Sequence, residues 1–246
     1  MLEARDLCLA GRLDGLSATL RAGEVTAICG PNGAGKSSLL AALAGLVAPD
    51  AGAVLLEGAP LAAMPPRERA RAIGYLPQSA EIAWDVSVET LVSLGRIPWA
   101  GGAPGEGQAA IDAALAAMDL AELRHRPVSR LSGGERAPAL MARVLATGPR
   151  WLLADEPLAS LDLAHAAALL GRLRDQARAG AGVVLVLHDL AAAMNHADRV
   201  VVLDRGRLVA HGAPGEALSA GVVSRVWGVE ARWLGDPGGM ALALTP

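Results

Sequence analysis

The run "GPNGAGKSS", residues 30–38, constrains this chain more than any other stretch. It follows the short β-rich run "GEVTAIC" and leads into an apolar run through Leu39, Leu40, Leu43 and Leu46. The order is therefore strand, glycine-rich turn, helix. Gly30, Gly33, Gly35, Lys36 and Ser37 fit the pattern G-x-x-x-x-G-K-[ST]. The glycines let successive backbone N–H groups turn toward one anion, and the helix starting near Lys36 adds the positive end of its dipole. Lys36 is the only lysine among 22 basic residues; every other one is arginine. A compact ammonium can stand between β and γ phosphates, whereas a planar guanidinium is wider and prefers a fork of two contacts. Ser37 offers a hydroxyl to Mg²⁺. A glycine loop with a surface lysine is the bland alternative.

A second apolar run, "WLLADEP", reads as a buried strand that ends in two carboxylates, Asp155 and Glu156. In an open α/β sheet such a strand end faces the ligand crevice. Asp155 is expected to hold Mg²⁺ through water or Ser37, and Glu156 to orient and deprotonate an attacking water. Without a cation, paired carboxylates at the end of a buried strand cost desolvation. Gln78 after "AIGYLP" and His188 after "GVVLVL" also end apolar runs. Gln78 could ligate Mg²⁺ or hold water, and His188 could contact the γ-phosphate; a structural role is the alternative for each.

"LSGGE", residues 131–135, opens a further helix. Ser132 and Glu135 have the spacing of a capping box, while Gly133 and Gly134 strip side chains from the turn and expose its N–H groups to an anion. One chain thus carries two phosphate-seeking helix starts. Both can grip one triphosphate if they come from two molecules facing head to tail, as in a closed two-fold pair. Asp162 in "LASLD" would lie near that seam, although a helix cap at Ser160 or Asp162 explains the same residues, and Asp189 could equally cap the helix after His188.

From about Asp85 to Pro149 the texture becomes helical, with no matching run of strands, and the β pattern returns at Trp151. Near the C-terminus, two strands about a turn at Asp204, Arg205 and Gly206 precede a short helical segment from Gly215 and a small element flanked by Trp227 and Trp233, both read as packing residues. A chain of 246 residues with 52% apolar content is ample for a buried core. A net charge of -3 without a basic run makes nucleic acid an unexpected partner. Cys8 and Cys29 read as structural thiols. No signal peptide and no apolar stretch near the ~20 residues of a membrane span is visible, so the expectation is cytoplasmic, with a peripheral seat on a membrane protein left open.

Over essentially its full length the chain resembles the ATP-binding subunits of ABC transporters. The resemblance makes Gly30, Pro31, Asn32, Gly33, Ala34, Gly35, Lys36, Ser37 and Ser38 the phosphate loop, Gln78 the Q-loop glutamine, Ser132, Gly133 and Gly134 the signature turn, Asp162 the D-loop aspartate and His188 the switch histidine. It implies an α/β P-loop NTPase of the ABC ATPase type. A RecA-like core of residues 1–84 and 150–228 would carry an inserted helical subdomain, 85–149, and a short C-terminal element, 229–246. It further implies ATP and Mg²⁺, with Ser37, Gln78 and Asp155 as metal ligands and Glu156, His188, Lys36 and Gln78 as catalytic residues. The implied partners are a second copy in the ATP-bound state, two transmembrane permeases at the cytoplasmic face and, indirectly, a periplasmic or extracellular substrate-binding protein.

"VSVETLVSLGRIPW" and "VWGVEARWL" are similar to stretches of the importers of ferric siderophores, haem and cobalamin. Transport of another cargo, a soluble ABC protein of DNA repair or ribosomes, and a silent nucleotide-binding scaffold are the competing functions. Three departures from the family pattern stand out. "LAGR" at residues 9–12 lacks the usual aromatic for adenine, leaving Arg12 to lie over the base. Pro138 interrupts the signature helix and predicts a kink. Ala154 replaces a larger aliphatic residue before Asp155.

Overall fold

The computed structural model describes residues 1–79, 82, 84–101, 105–159 and 161–244. Three long strands lead the chain: β1 (Leu2–Leu9), β2 (Leu13–Leu20) and β3 (Val25–Cys29). After α1 (Lys36–Leu43) come β4 (Ala51–Leu56), β5 (Ala59–Pro60), α2 (Pro66–Ala72) and β6 (Ile73–Leu76). Three helices follow, α3 (Val88–Ser93), α4 (Glu106–Ala117) and α5 (Gly133–Leu145). The second half contains β7 (Trp151–Asp155), α6 (Leu163–Arg178), β8 (Gly182–Val186), α7 (Leu190–His196), β9 (Arg199–Asp204) and β10 (Arg207–Gly212). It closes with α8 (Pro214–Ala217), α9 (Ala220–Trp227), β11 (Ala231–Leu234) and β12 (Ala241–Leu244).

The central sheet has the order β10-β9-β3-β8-β7-β6. It is parallel from β9 to β6, with β10 added antiparallel at one edge. The reason lies in the residues: every position of "VTAIC", "WLLAD" and "GVVLV" is buried, as expected of strands covered on both faces. Alternate residues serve different cores. Val183 and Leu185 join Leu152 and Ala154 on the face that carries α6 and the helical insertion, while Val184 and Val186 join Leu153 and Ile28 on the face that carries α1. Trp151 fills its face because Gly182 is bare: a Cβ there would stand 2.4 Å from the indole ring.

Residues 1–60 contribute more than one layer. β2, β1, β4 and β5 form a separate antiparallel sheet in that order, with Leu13, Leu16, Ala18 and Leu20 of β2 turned inward and its polar residues outward. This sheet packs its apolar face on α1. The single α/β core expected from the parallel-strand pattern therefore comprises two sheets on either side of that helix.

Helix α1 is shorter than its apolar pattern predicts. It stops at Leu43, and Leu46 is 61% exposed. Gly45 turns left-handed at φ 68°; its N–H bonds to the Ala42 carbonyl and that of Leu46 to Ala41, the double bond pattern of a Schellman stop. Helix α5, by contrast, runs through Pro138 without interruption. The proline is buried, and its missing N–H falls opposite Gly134, near the helix start. The helix assignment therefore continues on both sides of the position where a kink is expected.

Among the described residues of the insertion, helices account for the regular structure apart from one isolated bridge, Ser87 to Pro127. Val88, Leu91, Leu115, Met118 and Met141 bury their side chains in the same core as β7 and β8, each contributing roughly 2 kcal/mol of apolar transfer. The hairpin β11–β12 is fastened to α7: Asn195 Nδ2 donates to the Met240 carbonyl and Asn195 Oδ1 accepts the Met240 N–H, both at 2.8 Å. Trp233 packs with its Nε1 on the Leu218 carbonyl at 2.7 Å, and Trp227 packs half-buried beside it. Among the described residues no helix is long and apolar enough to cross a membrane.

Candidate nucleotide site

The parallel strands end side by side at one edge, and each ends in a residue with chemistry to offer. β3 runs into the glycine loop. Gly30 continues at φ 154°, where a Cβ would strike the Leu203 carbonyl oxygen at 2.3 Å. Gly35 takes φ 98° beneath the backbone of Arg12, whose carbonyl oxygen would be 2.6 Å from a Cβ. Gly35 is also the N-cap of α1 and has no side chain to satisfy the first-turn N–H groups, which leaves them for an anion.

Above this turn opens a cavity of about 870 Å³. The loop from Asn32 to Ser38 forms its floor, Gln78, Glu156 and His188 one wall, and Gly11 and Arg12 another. Its lining among the described residues contains no Phe, Tyr or Trp, and Arg12 is one of the lining residues.

Lys36 is 6% exposed, and its Nζ donates to the carbonyls of Gly30 and Pro31, each at 2.9 Å. Burial pushes its pKa down, against the opposing charges of Glu156, Cys29 and Asp155. The ammonium is thus parked on neutral loop carbonyls, at the mouth of the turn. Beneath it the buried Cys29 thiol is pushed up to about 12 by burial, with Lys36 opposing, which keeps it protonated.

Asp155 closes β7 and is 4% exposed. Its Oδ1 is buried without a hydrogen-bond partner among the described residues. Burial raises its pKa, the Ser37 hydroxyl lowers it, and Glu156 raises it again. An orphaned carboxylate oxygen beside a hydroxyl suits a hard cation. Among the described residues no group of three or more acidic, histidine or cysteine side chains forms a cage.

Glu156 leaves the strand in the left-handed region at φ 51°, a conformation costing a non-glycine residue about 1 kcal/mol or more. Both of its oxygens are engaged: Gln78 Nε2 donates to Oε2 at 2.8 Å, and His188 Nε2 lies 2.5 Å from Oε1. The neighbouring positions of β6, β7 and β8 bring these three residues together from across the chain. Asp189 is the N-cap of α7, accepting the N–H groups of Ala191 and Ala192.

The second helix start lies elsewhere. Ser132 Oγ accepts the Glu135 N–H at 3.3 Å, and Glu135 Oε2 accepts the Ser132 N–H at 2.8 Å, a complete capping box. The Ser132 N–H holds the Glu135 carboxyl below its usual range, against desolvation. Ser132, Gly133 and Gly134 do not line the nucleotide cavity; Gly133 borders a smaller one of about 280 Å³ shared with Gln78, Asp155 and Glu156. Asp162 lines neither and caps α6 through the His165 N–H at 2.8 Å. Ser160, the other cap considered, lies outside the described residues. His165 escapes motif reading altogether, since only its spacing of three from Asp162 marks it.

A family model described as "ABC transporter" matches residues 13–159. A hemin import ATP-binding protein, HmuV, of Streptomyces coelicolor is 46% identical over 241 residues, which is 97% of this chain and 86% of that protein. A protein of the same name from Myxococcus xanthus is 44% identical, with 91% of this chain and 88% of its own length covered. Among solved structures, cbiO1 of Clostridium perfringens, part of the transporter complex cbiONQ, superposes with a TM-score of 0.81 at 27% identity, covering 91% of this chain and 92% of that one.

Proposed function

This chain belongs to the ABC transporter family of ATP-binding proteins, and from that premise we propose that it hydrolyses ATP to drive import of haem through a pair of membrane permeases. A ferric chelate or cobalamin is the nearest other cargo. The observation that carries this reading is the meeting of Lys36, Gln78, Glu156 and His188 on one cavity of about 870 Å³, in a chain 46% identical to a protein named for hemin import.

The triphosphate lies on the uncapped first turn of α1, and Lys36 exchanges its two loop carbonyls for β and γ oxygens. Ser37, Asp155 and Gln78 would be the oxygen donors for Mg²⁺, which would supply positive charge to the phosphates. Glu156 takes the proton of the water that attacks the γ phosphorus, as the bond to the β–γ bridging oxygen breaks and ADP departs. Gln78 and His188 hold that carboxylate beforehand; His188 then turns to the γ oxygens, where Lys36 also opposes the developing negative charge. Two copies close head to tail, each offering Ser132 to Gly134 and Asp162 to the nucleotide of the other. The pair sits on the permeases at the cytoplasmic face, and a substrate-binding protein outside delivers the cargo.

The test is the ATPase of the assembled transporter with its binding protein. Haem-loaded binding protein should raise the rate above that with the empty protein. Stimulation confined to sugar-, peptide- or metal-ion-loaded binding proteins would assign another cargo, and no hydrolysis with any of them would leave a silent scaffold.

A further inference from the structure

His165 lies in the first turn of α6, three positions after the N-cap Asp162. Its backbone N–H donates to Asp162 Oδ1 at 2.8 Å, and its Nδ1 stands 2.8 Å from the same oxygen. An ionised carboxylate can only accept, so Nδ1 carries the proton and the ring is tied down in one orientation. In that orientation its far edge covers another helix. A Cβ built on Gly134, in the first turn of α5, would stand 2.4 Å from Cδ2 and 2.5 Å from Nε2 of His165.

Atoms cannot approach so closely, so a side chain at 134 and the imidazole exclude one another. The backbone at 134 is not the obstacle, for it is helical, and alanine is a better helix former than glycine. Nor can the ring swing aside freely, because doing so gives up Asp162. Glycine at this position thus lets the ring keep its place on Asp162, apart from any need to admit a phosphate.

Resting on the reading that this turn receives a partner's nucleotide, we propose that His165 is a positioning residue of the phosphate-receiving turn. Seated on the bare backbone of Gly134 and tied to Asp162, it fixes the start of α5 against the start of α6. The Ser132–Gly134 turn then meets the second copy's nucleotide in one orientation. Asp162 follows Glu156 by six positions, so the same contact joins the turn that receives one nucleotide to the segment bearing the water-activating carboxylate of the other.

Four full-length chains test this: unaltered, Gly134→Ala, His165→Ala and the double variant, each melted alone and assayed in the transporter. With His165 present, Gly134→Ala should lower the melting temperature; with alanine at 165 the same substitution should raise it, as expected for a helix position freed of its clash. His165→Ala should raise the KM for ATP about fivefold and leave kcat within about twofold, because closure is weakened and chemistry is not. ADP affinity of the isolated chain should stay unchanged. His165→Asn, whose amide can donate to Asp162, should recover most of the lost KM. A Gly134→Ala effect of equal size and sign in both backgrounds, or an unchanged KM in His165→Ala, overturns the proposal. If the unaltered transporter lacks ATPase activity, the functional reading fails and the positioning role falls with it, while the reversal in melting temperature still reports the contact itself.

Discussion

Two helices of this chain begin at turns suited to phosphate, and they are built in opposite ways. Helix α1 starts at Gly35, which offers no capping side chain, beside a buried lysine and the wall of a large cavity. Helix α5 starts at Ser132, which with Glu135 satisfies its own turn through a complete capping box, on the surface. The first turn leaves its donors open to the cavity and can hold an anion within one chain. The second keeps its shape without a ligand and presents Ser132 and Gly133 to whatever approaches, with Gly134 under the His165 ring. A site that binds first is left chemically unsatisfied, whereas one that waits for another molecule is held ready by its own side chains.

The largest effect that could break this contrast is at the uncapped turn. Lys36→Ala removes the one mobile charge aimed at the phosphates, so kcat/KM for ATP should fall about a thousandfold, with a matching loss in titrations with a fluorescent ATP analogue. Lys36→Arg should rescue little, since its fork must enter the same cradle. Near-normal binding by Lys36→Ala would make the two turns equivalent and end the comparison.

Glu156→Gln sharpens it from the other side. Turnover should fall about a hundredfold as the water loses its base, while binding at the untouched loop survives. Light scattering with ATP and Mg²⁺ should then find a long-lived particle near twice the 25.0 kDa chain mass, whereas with ADP alone the variant should stay largely monomeric. Hydrolysis at the unaltered rate would reduce Glu156 to a structural carboxylate.

The smallest effect belongs to the capped turn. Ser132→Ala deletes the acceptor for the Glu135 N–H and should cost about 1 kcal/mol, a fall in melting temperature of roughly 2–4 °C. ADP affinity of the isolated chain should be unchanged. A large loss of ADP binding would place the second turn in the first site.

The uncapped turn was legible because its chemistry is local: loop, lysine and hydroxyl lie within nine consecutive residues, and periodicity marks the strand and helix around them. The strand ends carrying Gln78, Asp155, Glu156 and His188 were legible because buried parallel strands are continuously apolar. The N-terminal antiparallel sheet was not, since the buried Glu3 and the shifts of register after Ala4 and Arg5 spoil the alternation in β1. The end of α1 was misread because Leu46 keeps the apolar spacing although Gly45 has already turned the chain. Pro138 does not end α5, because the N–H it lacks would pair with Gly134 near the helix start. His165 was invisible, because its contact joins two helices and leaves no trace in spacing.

The strand order of the central sheet has a consequence for synthesis of the chain. Among the described residues β3, which ends in the phosphate loop, pairs with β8 and β9 alone, and Gly182 of β8 follows Cys29 by 153 positions. At about 5–20 residues per second, the apolar run "VTAIC" waits roughly 8–30 seconds on the ribosome before a lateral partner exists. During that interval the loop residues have been made, but the strand that aims them has no neighbour on either edge. A product cut short before β8 therefore contains the whole phosphate-loop motif and cannot hold it in working form.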